Sequence, residues 1–360
     1  MGCMLVLSVL ARTFCLRCSS LGLVIDSIEG EDQRFRQLLQ WLETETKFGG
    51  MPVVPASADA SFRRYFRIMG STQSWIAMDA PPDREDSRPF IEIAGHLEAG
   101  GVRIPEIFAH DLVQGFVVLE DFGSVHYEDV LSGDRREEFY DLALEEMSLV
   151  TMMPCGITRK LPVYDRSWLK MELDIFFDWF LHGGGENSGN ESVKREFDES
   201  VQPLLDGILE QPSVFVHRDF HCRNLLVLEE GRAGVIDFQG ALHGPLTYDL
   251  VSLLRDCYQE NPTDWVERKA LQQKARYEAG FEMVWADDEF LRWMDWTGLQ
   301  RHLKVLGLFR RLHMRDGKGS YLKDLPRVWE YAQDVLCRYD ELSALKNFSE
   351  SFQTWKTIAA

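Results

Sequence analysis

The chain is expected to be an α+β protein of two lobes, a small N-lobe sheet with a helix followed by a larger, mostly helical C-lobe. Three observations predict this. Short β-prone runs separated by turn residues occupy much of residues 62–121. Apolar residues at helical spacing dominate from about residue 134 onward. Set among those helices is a polar loop, His217-Arg218-Asp219-Phe220-His221-Cys222-Arg223-Asn224, followed by a hairpin that leads to Ile236-Asp237-Phe238.

Folded sequence is expected to begin near Glu31, because Phe35, Leu38, Leu39 and Leu42 share one helix face and Gly49-Gly50 supplies a stop. Residues 51–55 and a polar loop over 56–61 precede strands predicted over 62–69 and 74–78. Asp86-Ser87 ahead of Pro89 starts a second helix, with proline in its first turn, that ends at Gly100-Gly101. Strands over 104–109 and 115–120 complete an N-lobe of residues 31–121, and Asp121-Phe122-Gly123-Ser124 reads as a hinge. In the C-lobe, residues 122–360, helices are predicted over 134–152, 165–182 and 191–210, with a glycine-rich loop over 182–190. The polar loop, a hairpin over 225–228 and 233–236, a helix over 249–258 and a nearly all-helical remainder follow. No internal repeat is present.

A hydrophobic content of 45%, with 12% aromatic residues, is ample for a large core and excludes a disordered chain. The net charge of −19 argues against a nucleic-acid surface, which needs clustered Lys and Arg, and against an anionic membrane. Seven cysteines lie scattered at 3, 15, 18, 155, 222, 257 and 337, an odd and unpatterned set that points to a reducing, cytoplasmic setting. Cys15-Leu16-Arg17-Cys18 has no second pair at zinc-site spacing. The apolar run over 4–11 is too short to span a bilayer, and Arg12 and Arg17 follow it where a signal peptide carries charge in front. Residues 1–30 are therefore read as an extension outside the fold, and a monomer is expected.

The polar loop carries the chemistry. An H-R-D-x-x-x-x-N loop places Asp219 where a substrate hydroxyl can release its proton, and Asn224 where an amide oxygen can hold a metal. Asp237 follows thirteen residues after Asn224, in the position of the acidic residue that holds the metal bridging nucleotide phosphates. Asp219 is thus the candidate base or hydroxyl-orienting group, and Asn224 and Asp237 are candidate Mg2+ ligands. His217 and His221 are read as loop-bracing residues. Asp249 either caps the helix it opens or braces the loop's backbone.

The pattern H-x-D-x-H-x-x-N, then I-D-F, then Tyr248-Asp249-Leu250 resembles the aminoglycoside phosphotransferase and choline kinase superfamily over about residues 31–345. That superfamily is similar to protein kinases in fold. More narrowly, four stretches resemble the bacterial anomeric kinases of N-acetylmuramate and N-acetylglucosamine. They are Met78-Asp79-Ala80-Pro81-Pro82, the polar loop itself, residues 244–258 and residues 298–307. The resemblance implies a kinase-like bilobal fold, ATP and Mg2+ as cofactors, and a small-molecule sugar substrate phosphorylated at C1 in peptidoglycan recycling. It also implies that the backbone of Leu119, Glu120 and Asp121 meets adenine.

Two departures from protein kinases stand out. The phosphate loop, residues 56–61, has no glycine, so its amides and the hydroxyls of Ser57 and Ser61 would have to face phosphate. Asp79 stands where V-A-I-K would carry lysine, which makes Arg64 and Arg67 on the preceding strand, and equally Arg84 and Arg88, the candidate cations for phosphate. Glu92 is a candidate partner for one of them. On the acceptor side Gln239, Arg255, Asp256 and Arg301 are the candidates, with His302 and Lys304 beside them. Trp285, Trp293 and Trp296 are expected in the core. Rival readings are an aminoglycoside kinase, which needs an acidic pocket, a choline-type kinase, which needs an aromatic cage, and a catalytically inactive kinase-like binding protein. The intact Asp219, Asn224 and Asp237 argue against the last.

Overall fold

The computed structural model describes residues 32–58, 62–184 and 190–352. The 1–30 extension, the Cys15–Cys18 pair, Ser61 and part of the glycine-rich loop lie outside the described residues. The chain forms two compact units. Among the described residues, one unit runs to Ile91 and takes in Pro105–Phe122, and the other comprises Glu92–Ile104 and everything from Gly123 onward.

In the first unit, helix α1 (Gln33–Glu45) opens where the Asp32 carboxylate accepts the Phe35 amide at 3.0 Å, a side-chain N-cap. Strands β1 (Val53–Ala58), β2 (Arg64–Met69) and β3 (Ser74–Asp79) follow. Helix α2 (Arg88–Ala99), which belongs to the second unit from Glu92 onward, and the first-unit strands β4 (Ile107–Asp111) and β5 (Phe116–Glu120) come next. The five strands form one antiparallel sheet in the order β1-β2-β3-β5-β4. Alternation along the strands sends Phe66, Ile68, Trp75, Ala77, Phe116 and Val118 to one face, where Phe35, Leu38, Trp41 and Leu42 of α1 pack on them. Burying each large apolar side chain there contributes about 1.5–3 kcal/mol. Strand β1 lies where the sequence suggests only a stretch over 51–55 and the start of a polar loop. It is an edge strand with a bulge between Pro55 and Ser57, a place where proline is tolerated.

The second unit is helical, with short strands that carry the polar loop. Its helices begin with α3 (Tyr127–Val130), α4 (Arg136–Thr151), α5 (Cys155–Thr158) and α6 (Arg166–Ile175). The helix expected over 165–182 does not stay α throughout: α6 continues into a π-turn, Phe176–Leu181, that buries Phe176, Phe177 and Phe180. The helix expected over 191–210 is two, α7 (Glu191–Ser200) and α8 (Gln202–Leu209), divided where Pro203 enters the first turn of α8. Strand β6 (Ser213–Val216) leads into the polar loop, β7 (Leu225–Val227) and β8 (Ala233–Val235) form the foreseen hairpin, and β9 (Leu242–Pro245) pairs with β6. The β6–β9 pair was missed, because each strand has only four residues and the partners are far apart in sequence.

Helices α9 (Tyr248–Leu254), α10 (Thr263–Phe281), α11 (Asp287–Asp316), α12 (Leu325–Arg338) and α13 (Ser343–Ser351) complete the unit. Trp285, Trp293 and Trp296 are buried, as the core reading expects. Residues Glu92–Ile104 are tied into this unit by the Arg103 amide, which donates to Glu146 at 3.0 Å, and by the Val235 amide, which donates to the Arg103 carbonyl at 2.8 Å.

α11 crosses the junction of α6 and the π-turn at Gly307. A Cβ there would lie 2.3 Å from the Ile175 carbonyl oxygen and 2.6 Å from the Phe176 amide nitrogen, so only glycine fits. Gly307→Ala is expected to lower unfolding free energy by about 1–3 kcal/mol, or more if the helices cannot part, as read by denaturant titration.

Five residues earlier on α11, His302 is buried with Nε2 3.0 Å from the Arg255 carbonyl, and burial pushes its pKa down to about 3. The unfolded chain binds a proton at this ring below about pH 6.5, and the folded chain does not until about pH 3. This histidine therefore costs stability as pH falls through that window. His302→Gln is expected to lose about 2 kcal/mol less than the parent between pH 7 and 5, measured by denaturation at each pH.

Candidate active site

The secondary structure brings the three motif residues together. β6 delivers His217 to the start of the loop, and the β7–β8 register, Leu225 opposite Val235, sets Asn224 beside Ile236. The Ile236 amide donates to the Asn224 carbonyl at 3.1 Å. The Asn224 side-chain amide then donates to the Asp219 carbonyl at 3.0 Å and lies 3.4 Å from Asp237 Oδ2. Asp237 itself has a left-handed backbone, φ 66°, an uncommon state for a residue with a Cβ.

Two buried carboxylates hold the loop from beneath. Asp249, in the first turn of α9, accepts the amides of His217 at 2.6 Å and Arg218 at 2.9 Å. Burial pushes its pKa up to about 7, against the pull of those two amides toward the charged form. Of its two sequence readings, the loop brace is the one the geometry has. Asp256 accepts the Cys222 amide at 3.0 Å and the Tyr258 amide at 2.9 Å, so this acceptor-site candidate is also a brace. Arg223 adds a bidentate pair with Glu128, both contacts at 2.8 Å, and lies 3.5 Å from the centroid of the Tyr258 ring. His217 is fully buried edge-on to Phe220, and burial pushes its pKa down to about 4. His221 packs edge-on to Tyr258, and burial lowers its pKa also. Both rings are neutral at pH 7.

Burial raises the pKa of Asp219, but positive charge outweighs it, from His221 once that ring is protonated in acid and from Lys304 and Arg218 throughout, and the carboxyl titrates below its ordinary range. It is ionised at neutral pH, as a hydroxyl-orienting base requires.

The sequence reading passed over Glu172 on α6. Its carboxylate is buried and takes Lys304 at 2.7 Å, Arg218 at 3.1 Å, Gln300 at 3.2 Å and the Tyr164 hydroxyl. Burial alone would raise its pKa, and Lys304, Tyr164 and Arg218 bring it down to about 2. A signal was present: Glu172 shares the buried stripe of its helix with Leu169, Leu173 and Phe176, where an acid has no bland reason to sit.

The donor set fits Mg2+. One carboxylate, Asp237, and one amide oxygen, on Asn224, are what that ion takes when phosphates and waters fill the remaining positions. Because the Asn224 NH2 is committed to Asp219 and Asp237, its Oδ1 is the atom left for a cation.

The other sequence candidates fall in several places. Arg64 Nε donates to Asp79 Oδ2 at 3.1 Å and its guanidinium also pairs with Asp32. Arg34 Nε donates to the other Asp79 oxygen at 3.1 Å. Asp79 therefore points to the α1 face of the sheet, within a charge cluster that docks the start of α1. Arg67 donates to Asp121 at 2.6 Å, and Ser74 donates to the same oxygen at 2.6 Å. Arg84 and Arg88 pair locally with Asp83 and Asp86. Leu119, Glu120 and Asp121 end β5 or follow it, and the Glu120 amide already donates to the Glu106 carbonyl at 2.9 Å. Ser57 lies in β1. Gln239 joins the site by donating to Asp237. Arg255 instead donates to Thr263 at 3.2 Å and packs on Tyr331, and the buried Arg301 donates to the Cys257 sulfur at 3.5 Å.

The model of the phosphotransferase enzyme family matches residues 52–293. The N-acetylmuramate/N-acetylglucosamine kinase of Pseudomonas aeruginosa is 42% identical over 332 residues, 88% of this chain and 96% of that protein. The protein of the same name from Neisseria meningitidis is 39% identical, over 87% of this chain and 94% of its own length. Among solved structures, the GDP complex of aminoglycoside 2'-phosphotransferase-IIIa aligns with a TM-score of 0.58 at 14% identity, covering 84% of this chain and 99% of that one. Plasmodium vivax ethanolamine kinase aligns with a TM-score of 0.58 at 9% identity, covering 83% of this chain and 87% of that one. The α+β fold described above is thus that of kinase-like phosphotransferases.

Asp249→Asn keeps the size of the brace but removes one of its two acceptors. It is expected to lower unfolding free energy by about 1–3 kcal/mol and to reduce turnover, read by denaturation and by a nucleotide-hydrolysis-coupled assay.

Proposed function

This chain belongs to the phosphotransferase enzyme family, and we propose that it is an ATP- and Mg2+-dependent kinase acting on the anomeric C1 hydroxyl of N-acetylmuramate and N-acetylglucosamine. The observation that carries the chemistry is the convergence of Asp219, Asn224 and Asp237 on one loop-and-hairpin unit. The choice of sugar is supported by the names of relatives at 37–42% identity over most of both chains.

In this reading Asp219 accepts a hydrogen bond from the C1 hydroxyl and takes its proton as the oxygen attacks the γ-phosphorus of ATP. The bond to ADP breaks as the new C1–O–P bond forms, and the products are a sugar 1-phosphate and ADP. An anomeric hydroxyl is more acidic than an ordinary alcohol, so a carboxylate of low basicity suffices. Positioning is then the larger demand on Asp219, and the Asp249 and Asp256 braces meet it by fixing the loop's backbone. Asn224 and Asp237 would hold Mg2+, which would supply charge neutralisation at the transferring phosphoryl group. The product belongs to cytoplasmic recycling of cell-wall sugars. Arg218 and Lys304 flank the base, which disfavours the cationic acceptors of aminoglycoside or choline-type kinases.

The test is ADP release from ATP and Mg2+ with each sugar, followed by 31P NMR to identify the phosphorylated carbon. C1 phosphate is the expected product, and no sugar-dependent ADP release would sink the proposal. Asp219→Ala is expected to lower turnover on the order of 10²–10⁴-fold while nucleotide affinity stays within a few fold.

A further inference from the structure

Arg218 has φ 79°, a left-handed conformation that costs a residue with a Cβ about 1–2 kcal/mol and costs glycine nothing. An arginine at such a position implies that its side chain does something glycine cannot. Part of the answer is its ion pair with Glu172, but Glu172 already has Lys304, Tyr164 and Gln300 as partners. A second observation is more telling. Arg218 Nε is buried with no protein hydrogen-bond acceptor, and so is the indole Nε1 of Trp168, whose ring lies 5.6 Å from the Arg218 guanidinium carbon. An unsatisfied buried donor costs about 1–3 kcal/mol. The indole N–H groups of Trp293 and Trp296 are unpartnered too, but in the core, whereas these two lie on neighbouring side chains, one belonging to the residue next to the base, where a ligand can supply acceptors.

We propose that Arg218 and Trp168 form an acceptor-sugar subsite, donating through Nε–H and Nε1–H to oxygen atoms of the sugar while Asp219 orients its C1 hydroxyl. This rests on the sugar-kinase reading above. Because Glu172 and Asp219 together balance the charges of Arg218 and Lys304, the group that fits is a neutral oxygen, of the acetamido-carbonyl or hydroxyl kind, which both sugars carry. The left-handed backbone serves this purpose by turning the Arg218 side chain to Trp168 and Glu172 of α6 while the next residue, Asp219, keeps its place in the loop.

The experiment compares steady-state constants for the parent, Arg218→Gly and Trp168→Phe with both sugars. Arg218→Gly removes the donor and relaxes the backbone. Trp168→Phe removes only the indole N–H and its fused ring. The expected result is a rise in acceptor KM of about 10-fold or more for Arg218→Gly and several-fold for Trp168→Phe, equal for the two sugars, with the nucleotide KM within about twofold of the parent. If Arg218→Gly does not fold, Arg218→Lys keeps a cation beside Glu172, lacks Nε–H, and is expected to show the same selective rise. An unchanged acceptor KM in the arginine and tryptophan variants overturns the proposal. So does an equal rise in acceptor and nucleotide KM, or a loss confined to the carboxylate-bearing sugar. If the parent turns over neither sugar, the sugar-kinase reading fails by itself, and the same comparison on whichever hydroxyl acceptor the parent phosphorylates still decides the roles of Arg218 and Trp168.

Discussion

Two buried carboxylates beneath one loop are the constraint on which the site depends. Asp249 and Asp256 accept four main-chain amides between them, three of which belong to residues 217, 218 and 222. A loop cannot satisfy such donors through a ladder of its own, and leaving them buried and unpaired would cost more than the loop could recover locally. With the backbone fixed at both ends, the side chains of Asp219 and Asn224 inherit their positions and need few contacts of their own. That division of labour explains why neither histidine of the motif has to act as a proton carrier: both are buried and neutral.

Charge is sorted in a corresponding way. In the first unit Asp79, fully buried, is answered by Arg34 and Arg64, and Arg64 also meets Asp32. This cluster fastens a helix to a sheet. In the second unit Glu172 is answered by Arg218 and Lys304, and both cations also act on Asp219. The same chemistry, a desolvated acid with two cations, is structural in one place and lowers the pKa of the proposed base, Asp219, in the other. What separates the two cases is the neighbour: the first cluster borders the N-cap of α1, and the second borders Asp219, the proposed base.

Most of the fold was legible in the sequence because its long elements are amphipathic. The stripe of Phe35, Leu38 and Leu42 announced α1, and Gly100-Gly101 announced the end of α2. Short elements were not legible. β1, β6 and β9 depend on partners elsewhere in the chain, and the π-turn after α6 leaves no mark in a window of apolar residues. At the site, the motif residues could be named from spacing alone, since the loop and hairpin are nearly contiguous. The fates of Arg64 and Arg67 could not, because ion pairs to Asp79 and Asp121 follow from strand register and hinge placement. Glu172 was hidden among 58 acidic residues and betrayed itself only by its place on a buried stripe.

Gly307 has an effect that reaches past packing. It lies one helical turn after Lys304 on α11, and the backbone it touches lies one turn after Glu172 on α6. The bare Cα acts as a spacer gauge between two rods, and the distance it sets is also the distance across which a lysine and a glutamate meet. A single methyl group there would be a wedge driven between opposite charges. The smallest residue in the chain, with no functional group of its own, thereby calibrates an electrostatic contact that bears on the Asp219 carboxylate.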